Sequence, residues 1–132
     1  MKTLSRSSLL NILEYEIVRN EYRKDIIAYK KNRRISLGPH VTLTFENFRT
    51  LSFQIQEIMR AERLVHEKQI QEEVRIYNSI MPPNNGLSAT LFIEITDENG
   101  LTGIGSCAPM NDSKDNYKHY FIKYPLIIIS QR

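Results

Sequence analysis

The sequence predicts an α+β domain with a mainly antiparallel sheet, built from a hairpin and two later strands. Two observations predict this class. Apolar residues recur near helical spacing in two segments, over about 11–32 and 57–81. They alternate with polar residues over 41–46, 51–56 and 87–96. We therefore expect a long N-terminal helix and a second helical segment, both packed on the apolar face of the sheet.

The first helix is predicted from about Asn11 to Asn32, a stretch without glycine or proline. Leu13, Ile17 and Ile26 recur at spacings near the helical period. Asn11 is followed three residues later by a glutamate, which is the pattern of a capping box. Gly38-Pro39 then ends any local structure that continues after the helix.

The hairpin is predicted from two alternating runs, 41–46 and 51–56, joined by a turn around 47–50. In both runs the apolar positions are odd-numbered, so opposed residues must have position numbers with an even sum. A three-residue loop would place His40 opposite Gln56, and the next allowed register shifts each partner by two. His40 therefore lies on the polar face in this interpretation.

The later elements are read in the same way. The second helical segment ends at Pro82-Pro83, and a break near His66 into two helices stays open. A third strand follows over 87–96, apolar enough to be central, and a last strand over 117–130 is interrupted by Pro125.

Composition indicates one globular domain spanning 1–132, since the chain has 132 residues, 41% of them hydrophobic and 25% charged. No apolar run approaches the roughly 20 residues that a membrane span needs, and the N-terminus turns acidic early, so we expect a cytoplasmic protein without a membrane partner. A single cysteine, Cys107, excludes an internal disulfide and favours an inert thiol.

The charge is uneven along the chain, with a net value of +3. Residues 1–40 hold nine Lys/Arg against four Asp/Glu, whereas residues 41–132 hold nine against eleven. The densest basic stretch contains Lys30, Lys31, Arg33 and Arg34. These cations are typical of a helix C-terminus, where they complement the helix dipole. The alternative is a nucleic-acid patch, although no aromatic platform accompanies it.

His40 is the first candidate for chemistry, because imidazole binds metals and moves protons near neutral pH. On the polar face it would neighbour Gln54, Gln56 and Glu94. With Glu57, Glu94 and His119 it could hold a divalent metal, if these separate elements converge. The alternative is a hydrogen-bonded structural histidine.

A second candidate set surrounds the end of the second predicted strand. Glu57, Arg60 and Arg63 begin the following helical segment, next to Gln54 and Gln56. Arginine pairs bind carboxylates or phosphates in a bidentate manner. The alternative is an ordinary salt-bridged helix surface.

Four stretches carry a resemblance to a known family: "LGPHVTLTFEN", "LSFQIQEIMRAERL", "IQEEVRIYNSIMP" and "GLSATLFIEIT". On these the chain resembles the uncharacterised bacterial domain-of-unknown-function family 3501. The resemblance covers most of residues 30–96. It implies a setting among rubrerythrin-like and iron–sulfur oxidoreductases without assigning an activity. It also implies that the part from about 97 is shortened or atypical.

The sequence contains no motif that fixes a chemistry, and we favour a non-enzymatic accessory or binding module. The resemblance implies a redox protein as its partner, and self-association is the alternative. A small metal-dependent enzyme or metal carrier built on His40 with carboxylates is a second hypothesis. Nucleic-acid binding through Lys30 to Arg34 is a third.

Overall fold

The computed structural model describes residues 2–96 and 119–129, and for 94–96 and 119–129 it describes the backbone alone. A short 3₁₀ turn precedes three helices and four strands. The helices are α1 (Ile12–Lys31), α2 (Phe48–Ala61) and α3 (Glu67–Ser79). The strands are β1 (Arg34–Ser36), β2 (Val41–Glu46), β3 (Gly86–Thr96) and β4 (His119–Ile129). The predicted α+β class is confirmed.

The strands form one antiparallel sheet in the order β1-β2-β3-β4. Thr44 of β2 lies opposite Thr90 of β3, and Glu46 lies opposite Ser88. The central position predicted for β3 is confirmed. β4 runs without interruption through Pro125, contrary to our expectation. A proline is tolerated more readily there because β4 is an edge strand among the described strands, with a hydrogen-bonded neighbour on one side only.

α1 occupies almost the predicted span, and the capping box predicted at its start is confirmed. The Asn11 side chain accepts a hydrogen bond from the Glu14 backbone N–H at 2.9 Å, and the Glu14 carboxylate accepts one from the Asn11 N–H at 3.1 Å. The sequence left open whether the second helical segment breaks near His66, and the structure shows two helices there, because α2 ends at Ala61 and α3 begins at Glu67.

The predicted strand over 51–56 is wrong, because this stretch lies within α2. Leu51, Ile55 and Met59, spaced by four residues, are at most 1% exposed and form one helical stripe. Asn47 caps the helix by accepting a hydrogen bond from the backbone N–H of Thr50 at 3.1 Å. The observed hairpin instead joins β1 and β2, with Gly38 in its turn at a φ of 84°.

The main apolar core lies among the N-terminal segment, α2 and α3. Its buried members are Leu4, Leu9, Leu51, Ile55, Met59, Leu64, Ile70, Tyr77 and Met81. Helix-on-helix packing therefore supplies most of the apolar burial among the described residues.

The segment before α1 is held by two side-chain amides. Asn78 of α3 accepts from the Leu4 N–H at 2.8 Å and donates to the Leu4 carbonyl at 2.9 Å. Gln56 of α2 accepts from the Leu10 N–H at 2.7 Å and donates to the Leu10 carbonyl at 3.1 Å. Each amide thus pairs with both polar groups of one backbone residue, as a neighbouring strand would.

α2 contacts the even-numbered face of the sheet, which is the polar face, and not the apolar face that we expected. The Gln54 amide donates to Glu46, and the Ser88 hydroxyl donates to the Ile80 carbonyl at 2.6 Å. Polar side chains can be buried there because they hydrogen-bond to each other and to the helices. On the opposite face Val41, Leu43 and Phe45 are half-buried.

Candidate functional site

The most concentrated polar cluster of the described residues surrounds the Glu46 carboxylate, which is 2% exposed. Thr90 Oγ1 donates to its Oε1 at 2.7 Å, and Gln54 Nε2 donates to the same oxygen at 3.0 Å. Thr50 Oγ1 donates to Oε2. The carboxylate therefore accepts three hydrogen bonds from neutral donors.

The chain reversal after β2 builds this cluster. Glu46 is the last residue of β2, and Asn47 caps α2 immediately after it. The first two turns of α2 then bring Thr50 and Gln54 back over the sheet. Glu46 and Gln54 are both even-numbered and would share the polar face of the predicted hairpin. They do contact each other, although Gln54 reaches Glu46 from a helix.

One hydroxyl of this cluster has no partner among the described residues. Thr44 is 1% exposed, and its Oγ1 makes no hydrogen bond there, whereas Thr90 directly opposite is bonded to Glu46. With its oxygens engaged and nearly no exposure, Glu46 is not placed to meet a substrate. The geometry is that of a structural polar layer between helix and sheet.

Glu57 belongs to a separate network that joins α2 to α1. Its carboxylate accepts from the Tyr15 hydroxyl at 2.6 Å and from Arg19 Nε and Nη2 at 3.0 and 3.1 Å. Burial raises the pKa of Glu57, but the hydrogen bonds from Arg19 and Tyr15 outweigh it and hold the pKa below its usual value. Burial and the bond to Glu57 raise the pKa of Tyr15.

Three other residues of the second candidate set lie apart from this network. Arg60 pairs with Glu16 of α1, and Gln56 holds the backbone of Leu10. Arg63 is exposed after α2, with a φ of 51°. The structure thus favours the salt-bridge alternative, with one correction: the ion pairs cross to α1, which the sequence pattern could not show.

The structure describes the side chains of only two members of the predicted metal site, His40 and Glu57. His40 is exposed in the turn between β1 and β2, and Gln56 lies in α2, so the predicted His40–Gln56 pair is wrong. The backbone of His119 lies opposite Thr96, while the side chains of His119 and Glu94 lie outside what the structure describes. Within the described residues, no group of three or more His, Cys, Asp or Glu could hold a metal ion. Cys107 falls outside the described residues.

Arg49 lies close to the basic stretch in the structure, and the sequence analysis did not include it. Arg49 lies in the first turn of α2, with its guanidinium carbon 4.3 Å from the centroid of the Tyr29 ring. Arg33 lies 5.6 Å from the same centroid. Since Arg49 is distant from Lys30 and Arg34 in the chain, only the packing of α1 against α2 brings these cations together.

α1 carries two surface features. Leu13 and Ile17 are 79% and 85% exposed on successive turns. Beside them an open groove of about 300 Å³ is lined by Leu10, Val18, Glu21, Tyr22, Asp25 and Gln56. The groove combines apolar walls with two carboxylates one helical turn apart.

The fold and these sites define an α+β protein with an antiparallel sheet and a helical layer on its polar face. A family model described as protein of unknown function (DUF3501) matches residues 3–104, and the chain belongs to this family. The chain is also similar to a crystal structure of a protein of unknown function from Burkholderia pseudomallei K96243.

The two chains share 38% sequence identity with a TM-score of 0.68, over 73% of this chain and 54% of the other. The chain therefore spans about half the length of that protein. No curated protein matches the sequence. In the described part of the chain, no helix is long and apolar enough to cross a membrane.

Proposed function

We propose that this chain is a non-catalytic binding module that recognises a partner protein through the groove beside α1. A single observation carries the proposal: exposed apolar side chains and an open groove lie next to each other on α1. Leu13 and Ile17 remain exposed next to a groove walled by Leu10, Val18 and Tyr22. Exposed apolar patches of this kind mark protein interaction sites.

The engagement of the polar residues supports a binding role. Glu46 and Glu57, two carboxylates that could act in acid–base chemistry, accept hydrogen bonds from neighbouring side chains that hold the fold together. The apolar side chains of Leu13 and Ile17 on α1, in contrast, stay exposed. In the part of the chain that the structure describes, the exposed apolar side chains are therefore better placed to contact a ligand than these two carboxylates are.

The groove also indicates the chemistry of its partner. Glu21 and Asp25 line one side, four residues apart and therefore on the same face of α1. A segment with apolar side chains and at least one lysine or arginine would match both the walls and the charge. A redox protein, the partner class that the family resemblance implies, remains part of this proposal.

Selection of peptides from a random library displayed on phage, with the purified chain as bait, tests this chemistry. We expect the enriched peptides to combine apolar residues with lysine or arginine. Val18→Glu should abolish their binding, because it places a charge in the groove. Asn20→Glu is the matched control, since it adds the same charge at an exposed position of α1 outside the groove lining.

The outcomes separate clearly when both variants keep the wild-type circular dichroism spectrum. Equal binding by Val18→Glu and wild type, or peptides without basic residues, would contradict the proposal. Sedimentation velocity of the chain alone adds a second outcome: a dimer that dissociates on Val18→Glu would replace the partner protein with a second copy of this chain.

A further inference from the structure

Five cations lie near the end of α1, and none of them lines the groove. Lys30 and Lys31 are the last residues of α1, Arg33 and Arg34 lead into β1, and Arg49 lies in the first turn of α2. We call these five residues the cationic surface. Lys31, Arg34 and Arg49 are exposed, whereas Lys30 and Arg33 are partly buried.

Tyr29 holds two of these arginines in place. The guanidinium groups of Arg33 and Arg49 both contact its ring, and its hydroxyl accepts a hydrogen bond from Asn47 Nδ2 at 2.6 Å. Arg33 Nε also donates to the Phe45 carbonyl at 2.9 Å. The two planar groups are therefore oriented before any ligand arrives, which lowers the entropy cost of binding.

None of the five cations of the cationic surface forms an ion pair with a described residue. Four other arginines of the described residues do form ion pairs: Arg6, Arg19, Arg60 and Arg75. Arg49 also lies in the first turn of a helix, where the dipole disfavours a cation. Repulsion of this kind is relieved when an anion binds.

The surroundings of Lys30 act on its pKa in opposite directions. Burial has the largest effect and lowers the pKa, the Glu46 carboxylate raises it, and the charge of Arg34 lowers it by less. The Glu46 carboxylate is already bonded to Thr50, Thr90 and Gln54, so it is not a free counter-ion for the surface.

We propose that the cationic surface binds nucleic acid through the phosphate backbone. Five cations from three segments exceed what one phosphate group can pair with, which favours a polyanion. Oriented guanidinium forks suit phosphodiesters at regular spacing, whereas a fluid lipid surface gains little from fixed forks. Contacts to phosphate carry no sequence information, so binding should show little sequence preference.

Fluorescence anisotropy with a labelled 20-nucleotide oligouridine tests this proposal, using the whole chain over a series of salt concentrations. The triple variant Lys31→Gln, Arg34→Gln, Arg49→Gln removes three exposed charges. Each lost phosphate contact should reduce the slope of log K against log salt by about 0.7 on a single strand, so we expect a slope smaller by about 2. Affinity at low salt should fall at least tenfold.

The matched control is the triple variant Arg23→Gln, Arg63→Gln, Lys68→Gln, which removes the same net charge from exposed positions elsewhere. It should keep a slope close to wild type. An equal loss in both variants would show diffuse attraction and overturn the proposal, as would the absence of salt-dependent binding. Binding to anionic lipid vesicles with none to oligouridine would overturn it in favour of a membrane.

Discussion

Thr44 and Thr90 allow a matched test of the polar layer, because they lie opposite each other in neighbouring strands and are 1% and 0% exposed. Thr90 donates to Glu46 at 2.7 Å, whereas Thr44 Oγ1 has no partner among the described residues. Valine has nearly the shape of threonine and an equally good strand propensity. Replacing either residue with valine therefore changes one hydroxyl and little else.

The two substitutions should act in opposite directions. Thr90→Val removes a hydrogen bond to a buried carboxylate, and we expect it to lower the free energy of unfolding by about 1.5–3 kcal/mol. Thr44→Val removes a buried hydroxyl whose desolvation is not repaid, and we expect it to raise that free energy by about 1 kcal/mol.

Urea denaturation followed by circular dichroism measures both effects. With a slope of about 1–3 kcal/mol/M, the predicted changes move the midpoint by several tenths of a molar or more. The comparison is valid when the slope is unchanged between variants. If Thr44→Val destabilises the protein as much as Thr90→Val does, then the Thr44 hydroxyl is bonded in solution and our account of the polar layer is wrong.

Two further predictions concern Glu57 and the core. The pKa of Glu57 is lowered in the folded chain, so its stabilising effect is present above the ordinary glutamate pKa of about 4.3 and is lost as the pH falls below that value. Glu57→Gln should weaken this acid dependence in urea titrations between pH 3 and 7. An unchanged pH dependence would refute the prediction. Leu51→Ala should lower the free energy of unfolding by about 2–5 kcal/mol because Leu51 is fully buried. Ile17→Ala should change it by less than about 0.5 kcal/mol because Ile17 is 85% exposed. Similar losses in both variants would contradict the assigned core.

Features set by neighbouring residues were predictable from the sequence. α1 and its Asn11–Glu14 capping box depend on spacings of three and four residues, and both were predicted correctly. β2 and β3 were predicted from alternation alone. These signals need no knowledge of tertiary packing.

α2 was mispredicted because two periods fit the same residues. Leu51, Phe53 and Ile55 alternate as in a strand, while Leu51, Ile55 and Met59 recur as in a helix. Phe53 decided for the strand, but it is only half-buried and its ring lies 5.7 Å from the Tyr22 ring. The spacing of four and the Asn47 cap were the signals that could have found the helix.

Contacts that depend on tertiary packing could not be predicted from the sequence. His40 was paired with Gln56 only through the mistaken strand, so that pair disappeared with it. The bonds from Arg19 to Glu57 and the contact of Arg49 with Tyr29 need α1 against α2, which no local pattern contains. Glu46 and Gln54 lie on one side of the sheet in both arrangements because a chain reversal follows β2 in each, but their direct contact was not predicted.

The amides of Asn78 and Gln56 make the first residues of the chain part of the cooperative fold. Leu4 and Leu10 each exchange two hydrogen bonds with an amide on a different helix, and Leu4 and Leu9 lie in the core. The Leu4 amide proton is therefore released to solvent when the segment leaves α3, and the Leu10 proton when it leaves α2. Hydrogen exchange at these two amides would therefore measure how firmly each helix holds the segment before α1.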